Sequence, residues 1–489
     1  MIGRKTLAAL AAAALVGALA LTPATSGAQV TTSHYSGTTS DGSQWIADVP
    51  SSWNGTLLLY SHGYGTLLPA DAPDPTTQAA LLNMHYALAG SGYDPNGSLW
   101  ALNTAVGDQW GALAAVESTV LPRRPSHVIA VGQSMGGLIS ALEDQDSHGR
   151  IDGALTTCGI VAGGLNLNNY QLDGEYAMTK LLGSLVPGDQ SIQLVNFATS
   201  ADSQNSADAL QALGEAAQPT VGAHATPQTQ ARLALAMAFL NTTTWAPTAS
   251  GPAGPTDYAG QEGAQYETDF GFPFFPIIPF IVTGRYAIEQ AVGGNAGWTL
   301  GVNFARELAT SPFRTEVEAL YRQAGLNLSA DLNELTRDAN ITASPLAVRN
   351  MIHTSVPTGR LQVPELDMHT IGDNLVPVTM ENWYRGLVDR AGSGDLLQQA
   401  YVAHPIHCNF QPAELVAGVL AVQHRIDTRR WGSAATPQSL EASASSLAAA
   451  NPSLGTPSFV PYEPAPLLGN NGPFDPITGG SYSFRRGRW

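Results

Sequence analysis

Ser134 stands in Gly132-Gln133-Ser134-Met135-Gly136, behind the apolar run His127-Val128-Ile129-Ala130-Val131 and ahead of a helix-compatible stretch. A strand that turns into a helix within a few residues forces the central residue into a strained conformation with its side chain pointing outward. Glycines on either side let neighbouring backbone approach where a Cβ would clash. A serine hydroxyl is a poor nucleophile near neutral pH, so it needs a base within hydrogen-bond reach and a carboxylate to orient that base. Both follow downstream. Asp373 lies in the turn after the strand-like Leu361 to Thr370, where a carboxylate can face the sheet edge, whereas Glu365 and Asp367 fall within the strand. The competing role for Asp373 is capping the helix that starts near Val378. The segment Ala403-His404-Pro405-Ile406-His407-Cys408-Asn409-Phe410 supplies two histidines. His407 is preferred because it sits deeper in the loop, while Pro405 restricts His404 to an extended conformation. The tetrahedral intermediate of such an attack needs preorganised donors. The backbone N–H of Met135 is one, and the N–H of Gly63 or Tyr64 in His62-Gly63-Tyr64-Gly65 is the other, with the Tyr64 hydroxyl as a further option. His62 itself is read as a structural hydrogen-bonder. A metal site built from His404, His407 and Cys408 lacks a second ligand pair at recognisable spacing, so no metal is expected.

The elements that must hold these residues alternate. Gln44 to Pro50, Thr56 to His62, Tyr86 to Ser91, His127 to Gln133 and Ile151 to Cys158 read as strands, and Ala101 to Thr119 and Met135 to Asp146 as helices. This calls for a mostly parallel sheet covered on both faces, with its site at the carboxyl ends of the strands, where His62, Ser134 and Cys158 fall. From about Gly164 to Thr354 helical patterns take over. The last, Pro345 to Thr354, opens with Ser344 as N-cap and Pro345 at the first helical position. Within this stretch Phe270 to Val282 is the most apolar run of the mature chain, and its prolines argue against a regular helix or central strand. It is either packed on its own core or forms an apolar wall of a substrate pocket. Strands return at Leu361 to Thr370 and Leu396 to Ala403, with helices at Val378 to Ala391 and Ala413 to Asp427.

Within 489 residues this predicts a leader at 1–28, a catalytic core at 29–164 and 355–431, a mostly helical insertion at 165–354, and a Ser/Ala/Pro/Gly-rich tail at 432–489, loosely packed or draped over the surface. The leader reading rests on Arg4 and Lys5, the apolar run Leu7 to Leu21 and the small residues before a cleavage near Ala28, and it predicts export. No later stretch is long and apolar enough to span a bilayer, so no stable membrane anchoring is expected. A net charge of −17, or −19 without Arg4 and Lys5, argues against a nucleic-acid partner. Cys158 and Cys408 are the only cysteines. An oxidising compartment favours pairing, and the sheet reading brings both to one edge, so a disulfide is expected.

On the His62-Gly63 turn, the Gly132 to Gly136 elbow, the Thr370 to Pro377 acid turn and the His407 loop, the chain resembles the α/β-hydrolase superfamily over about residues 35 to 164 and 355 to 427. The resemblance implies an α/β fold with a Ser134–His407–Asp373 triad and an acyl-enzyme mechanism without cofactor. Related proline-specific aminopeptidases usually carry His-Gly-Gly-Pro-Gly at the oxyanion turn, and dehalogenases carry aspartate at the elbow; this chain has neither. It looks most similar to secreted bacterial esterases and lipases, which implies a small-molecule or polymeric ester with an apolar or aromatic acyl group. A serine peptidase or aminopeptidase is the alternative, followed by a non-catalytic binding protein.

Overall fold

The computed structural model describes residues 30–185, 192–218, 226–272 and 276–468. The leader at 1–28 lies outside them. Nine strands form one sheet: β1 (Thr32–Thr38), β2 (Gln44–Pro50), β3 (Thr56–Ser61), β4 (Ala87–Ser91), β5 (His127–Gln133), β6 (Gly153–Thr157), β7 (Glu365–Gly372), β8 (Leu397–Pro405) and β9 (Phe459–Val460). Their order is β1-β2-β4-β3-β5-β6-β7-β8-β9. The run from β4 to β8 is parallel, with β1, β2 and β9 added antiparallel at the edges.

Parallel neighbours need crossovers, and helices supply them: α1 (Pro75–Asn83), α2 (Ala105–Thr119) and α3 (Met135–Gln145) in the first half, then α4 (Gly163–Leu182), α5 (Ser200–Ala217), α6 (Pro227–Phe239), α7 (Tyr258–Tyr266), α8 (Ile277–Val292), α9 (Phe304–Thr310), α10 (Arg314–Ala324), α11 (Leu328–Asp338) and α12 (Pro345–Ser355) between β6 and β7, and α13 (Thr379–Ala391), α14 (Pro412–Thr428) and α15 (Pro437–Ala450) after it. Alternate residues of β3 face opposite layers. Leu57 and Leu59 join Leu113 and Val116 of α2, while Leu58 joins Val416 and Val419 of α14. The helices between β6 and β7 share one apolar cluster with Met135, Leu138 and Ile139 of α3, so this segment is packed directly onto the elbow helix.

Three features differ from the expectations. Prolines do not keep the Phe270 to Val282 run from helix: Pro276 is the N-cap of α8 and Pro279 lies in its first turn, where an N–H has no intrahelical acceptor to lose. The neighbouring residues 273–275 lie outside the described set. The tail is not merely draped, because α15 packs its buried Leu440 and Ala444 into the cluster that holds α14, and β9 pairs with β8. β1 and α1 were not anticipated at all.

Candidate active site

Ser134 joins β5 to α3 with φ 61° and ψ −124°, a conformation non-glycine residues adopt only under constraint. The constraint is visible in the flanking glycines. A Cβ on Gly132 would strike the Gly136 carbonyl, and one on Gly136 would strike the Ser61 carbonyl at the end of β3. The elbow is therefore pressed against the turn that begins at His62. Gly63 lies so close that a Cβ there would sit 3.2 Å from Ser134 Cβ.

His407 and Asp373 meet this serine from the other half of the chain. His407 Nε2 lies 2.8 Å from Ser134 Oγ and Nδ1 lies 2.7 Å from Asp373 Oδ2. The other oxygen, Asp373 Oδ1, accepts the backbone N–H groups of Leu375 at 2.9 Å and Val376 at 2.8 Å, which fixes the carboxylate plane. Burial alone would push the Asp373 carboxyl up, but the charge of His407 and hydrogen bonds from His369 and His407 outweigh it and hold the group well below the usual carboxylate range. Asp373 therefore remains an acceptor for the Nδ1–H of His407, leaving Nε2 to face the serine. Asn374, which sequence reasoning did not single out, accepts the backbone N–H of His407 at 2.8 Å and so sets the loop that carries it.

The other candidates separate cleanly. His404 bonds Glu414 Oε1 at 2.9 Å, away from Ser134. Glu365 and Asp367 are buried within β7. His62 donates from Nδ1 to the Gly63 carbonyl at 2.8 Å and stacks on Tyr93, whose hydroxyl donates to the His62 carbonyl at 2.9 Å. Burial holds its imidazole below the usual range, the Gly63 bond opposing this only in part, so His62 braces the turn as a neutral ring. Tyr64 meets Phe280 of α8 edge-on at 5.5 Å, and burial pushes its phenol up to about 12, so the hydroxyl keeps its proton. Ile277 and Ile281 of α8 line a crevice together with Tyr170, Asp269, Asn374 and Leu375. The first turns of α8 thus reach both the turn that holds Tyr64 and the turn that follows Asp373.

Cys158 and Cys408 form a disulfide with Cα atoms 5.3 Å apart, tying the end of β6 to the residue after His407. His407 and the two sulfurs lie close enough together to suggest a metal site, but a disulfide offers no thiolate and one imidazole alone is a poor donor set. The bridge spans 250 residues, for which chain-entropy reasoning gives about 5 kcal/mol. A Cys158→Ser/Cys408→Ser protein is expected to unfold in guanidinium with a stability lower by roughly 3 to 5 kcal/mol. An unchanged midpoint would show that the bridge adds nothing.

No protein-family model matches the sequence. The chain is similar to an o-phthalyl amidase of Xanthobacter agilis, with 25% identity over 421 residues, covering 80% of this chain and 87% of that one. Similar solved structures include feruloyl esterase B from Aspergillus oryzae, at 16% identity and a TM-score of 0.39, covering 81% of this chain and 80% of that one. Another is the brefeldin A esterase, a bacterial homologue of human hormone sensitive lipase, at 13% identity and a TM-score of 0.33, covering 88% and 80%. At such scores the fold is read from the chain itself. A parallel sheet in the order β4-β3-β5-β6-β7-β8, an elbow serine between β5 and α3, and an acid and a histidine after β7 and β8 are the α/β-hydrolase fold.

Proposed function

We propose that this protein is an exported serine hydrolase that transfers an apolar or aromatic acyl group from a carboxylic ester to water through Ser134. The observation that carries the reading is the unbroken chain of contacts from Asp373 through His407 to Ser134 at 2.7 and 2.8 Å. Ser134 Oγ attacks the carbonyl carbon as its proton passes to His407 Nε2. The resulting oxyanion is received by the N–H of Met135 and by that of Gly63 or Tyr64, an arrangement in which each donor is worth about 10²–10³ in rate. His407 then gives the proton to the leaving alkoxide, the C–O bond breaks, and water activated by the same imidazole releases the acid. The apolar first turns of α8, with Phe280 beside Tyr64, favour an apolar or aromatic acyl group. The disulfide suits an oxidising destination, and no helix among the described residues is long and apolar enough to cross a membrane.

An amide substrate is the second reading, favoured by the similarity to an o-phthalyl amidase. It uses the same acyl-enzyme, with His407 protonating a leaving nitrogen. An aminopeptidase needs an anionic subsite for the substrate ammonium. Two buried acids line the crevice: Asp269 is pushed up to about 7 by burial against the opposing Thr242 hydrogen bond, and Asp373 is already engaged by His407, so neither is a ready partner for a cation.

Fluorophosphonate labelling with peptide mapping, followed by p-nitrophenyl esters, aryl amides and aminoacyl anilides on the same sample, tests this. The expected outcome is a single label on Ser134 and turnover of aromatic or medium-chain esters. Turnover of amides alone moves the second reading to the front, and a chain that neither labels nor hydrolyses any of them sinks both.

A further inference from the structure

β7 carries Glu365, Asp367 and His369 at alternate positions, all buried, while Leu366 and Met368 between them belong to the apolar layer beside α14. Central strands covered on both faces ordinarily carry apolar residues, so three ionisable groups on one buried face call for an explanation. The first two bond to neighbouring side chains, Glu365 through Oε2 alone. Glu365 accepts the Tyr384 hydroxyl at 3.1 Å, and Asp367 accepts the Thr156 hydroxyl at 2.6 Å and the Gln399 amide at 3.2 Å. His369 differs because it reaches the triad.

The His369 ring lies between Glu381 of α13 and Asp373. Nδ1 is 2.6 Å from Glu381 Oε1, and Nε2 is 2.9 Å from the Val376 carbonyl and 3.5 Å from Asp373 Oδ2. A carbonyl can only accept, so Nε2 carries a hydrogen. Glu381 Oε2 accepts the Gln399 amide at 2.9 Å, and a carboxylate that is ionised can only accept at Oε1 as well, which makes Nδ1 a donor. A ring that donates from both nitrogens is an imidazolium. Burial opposes that charge, but the hydrogen bonds and charges of Asp373 and Glu381 prevail and hold His369 well above the ordinary imidazole range.

We propose that His369, clamped by Glu381, is a positioning residue for the reaction at Ser134: a fixed cation behind Asp373 that keeps its carboxylate ionised and turned toward His407. The proposal rests on the hydrolase reading above. Without the cation, the Glu381 and Asp373 carboxylates would be two like charges in the same buried region with nothing between them to offset their repulsion. The other ionisable groups acting on the pair are Glu365 and Asp367 on β7, Arg385 on α13 and Tyr401 on β8, with Tyr170 of α4 and His407 beside Asp373. Burial, reinforced by the Glu381 charge, holds Asp367 well above the carboxylate range, so it adds no second anion.

The test uses the full mature chain. Glu381→Gln presents an amide that can donate to Nδ1 and leaves the ring in place but neutral; His369→Gln removes the ring. Nitrogen-15 spectra of the histidine side chains are expected to show His369 protonated at both nitrogens in the wild type from pH 5 to 8, and at one in Glu381→Gln. Loss of a positive charge behind Asp373 makes protonation of the triad easier. The acidic limb of kcat/KM is therefore expected to move up by about half to one pH unit in both variants, with kcat falling about tenfold and KM little changed. Should His369→Gln fail to fold, Glu381→Gln carries both measurements. A neutral His369 ring in an active wild type, or a limb that stays in place while activity or stability drops, overturns the proposal in favour of a packing role. A wild type that carries the imidazolium yet neither labels at Ser134 nor hydrolyses any substrate overturns the hydrolase reading, and the positioning role falls with it.

Discussion

Ser134→Ala is expected to lower kcat on the best ester by ~10⁴–10⁶, and His407→Ala by a similar factor, with the double variant no slower than either single one. The non-additivity is the informative part. In the proposed mechanism Ser134 and His407 act in one proton transfer, so once either is gone the other has nothing to do. Oxyanion donors and substrate binding remain, and a residual rate of about 10³ over water survives. Asp373→Asn should cost about 10⁴ for a different reason. An asparagine still accepts from Leu375 and Val376, but its amide can present N–H to His407 Nδ1, which turns the imidazole to the tautomer that cannot take the serine proton. Steady-state rates of the wild type and the four variants with one ester, corrected for protein concentration, measure this. Residual turnover in Ser134→Ala above about a tenth of wild type would place the nucleophile elsewhere, and multiplicative losses in the double variant would mean that serine and histidine act independently.

The elbow and its partners were legible because steric necessity and proton chemistry both leave marks in sequence. Gly132 and Gly136 face backbone at distances no side chain tolerates, and Asp373 and His407 fall in the turns directly after β7 and β8. Other parts left weaker marks. β1 has the sequence TSHYSGT, mostly exposed, and is a strand only because β2 offers it a ladder. α1 begins in a Pro/Asp-rich stretch that reads as loop, yet Asp74 caps it by accepting from the N–H groups of Thr76 and Thr77, with Pro75 at the first helical position. α8 was misjudged because prolines at a helix start look the same in sequence as prolines that forbid one. The alternation Glu365, Asp367, His369 was visible, but a polar face on a strand ordinarily means solvent. Only the packing of α13 across β7 makes it a buried network and brings Glu381 to His369. Asn374 was overlooked for a similar reason, since its role depends on a loop 33 positions further along.

Stability is expected to fall as pH rises from 5 to 8, because several carboxyl groups are buried without the partners that an anion needs. Glu316 on α10 is 2% exposed and neither side-chain oxygen has a hydrogen-bond partner among the described residues. Burial, with a contribution from the charge of Glu262, pushes it up to about 8. Glu262 on α7 accepts the Gln230 amide at one oxygen only, and burial pushes it up to about 7 against that bond. In the unfolded chain a glutamic acid loses its proton near pH ~4.3, whereas here the folded chain keeps it for several further units. Over that interval the folded state binds more protons than the unfolded one, so each such group removes up to ~1.4 kcal/mol of stability per pH unit. The His369–Glu381 pair works in the same direction at the alkaline end: its raised imidazole stabilises fully below the unfolded value and is lost as pH climbs through the folded one. Asp373 works oppositely, its depressed carboxyl stabilising above the unfolded value and failing only in stronger acid. The maximum therefore belongs on the mildly acidic side. Glu316→Gln removes the titration while keeping the shape, so it should match the wild type within about 1 kcal/mol at pH 4.5 and exceed it by on the order of 3 kcal/mol at pH 8. Guanidinium unfolding of both proteins at the two pH values measures the difference. An equal gap at both would mean that Glu316 is ionised and solvated in the folded chain, and that the decline with pH originates in other groups.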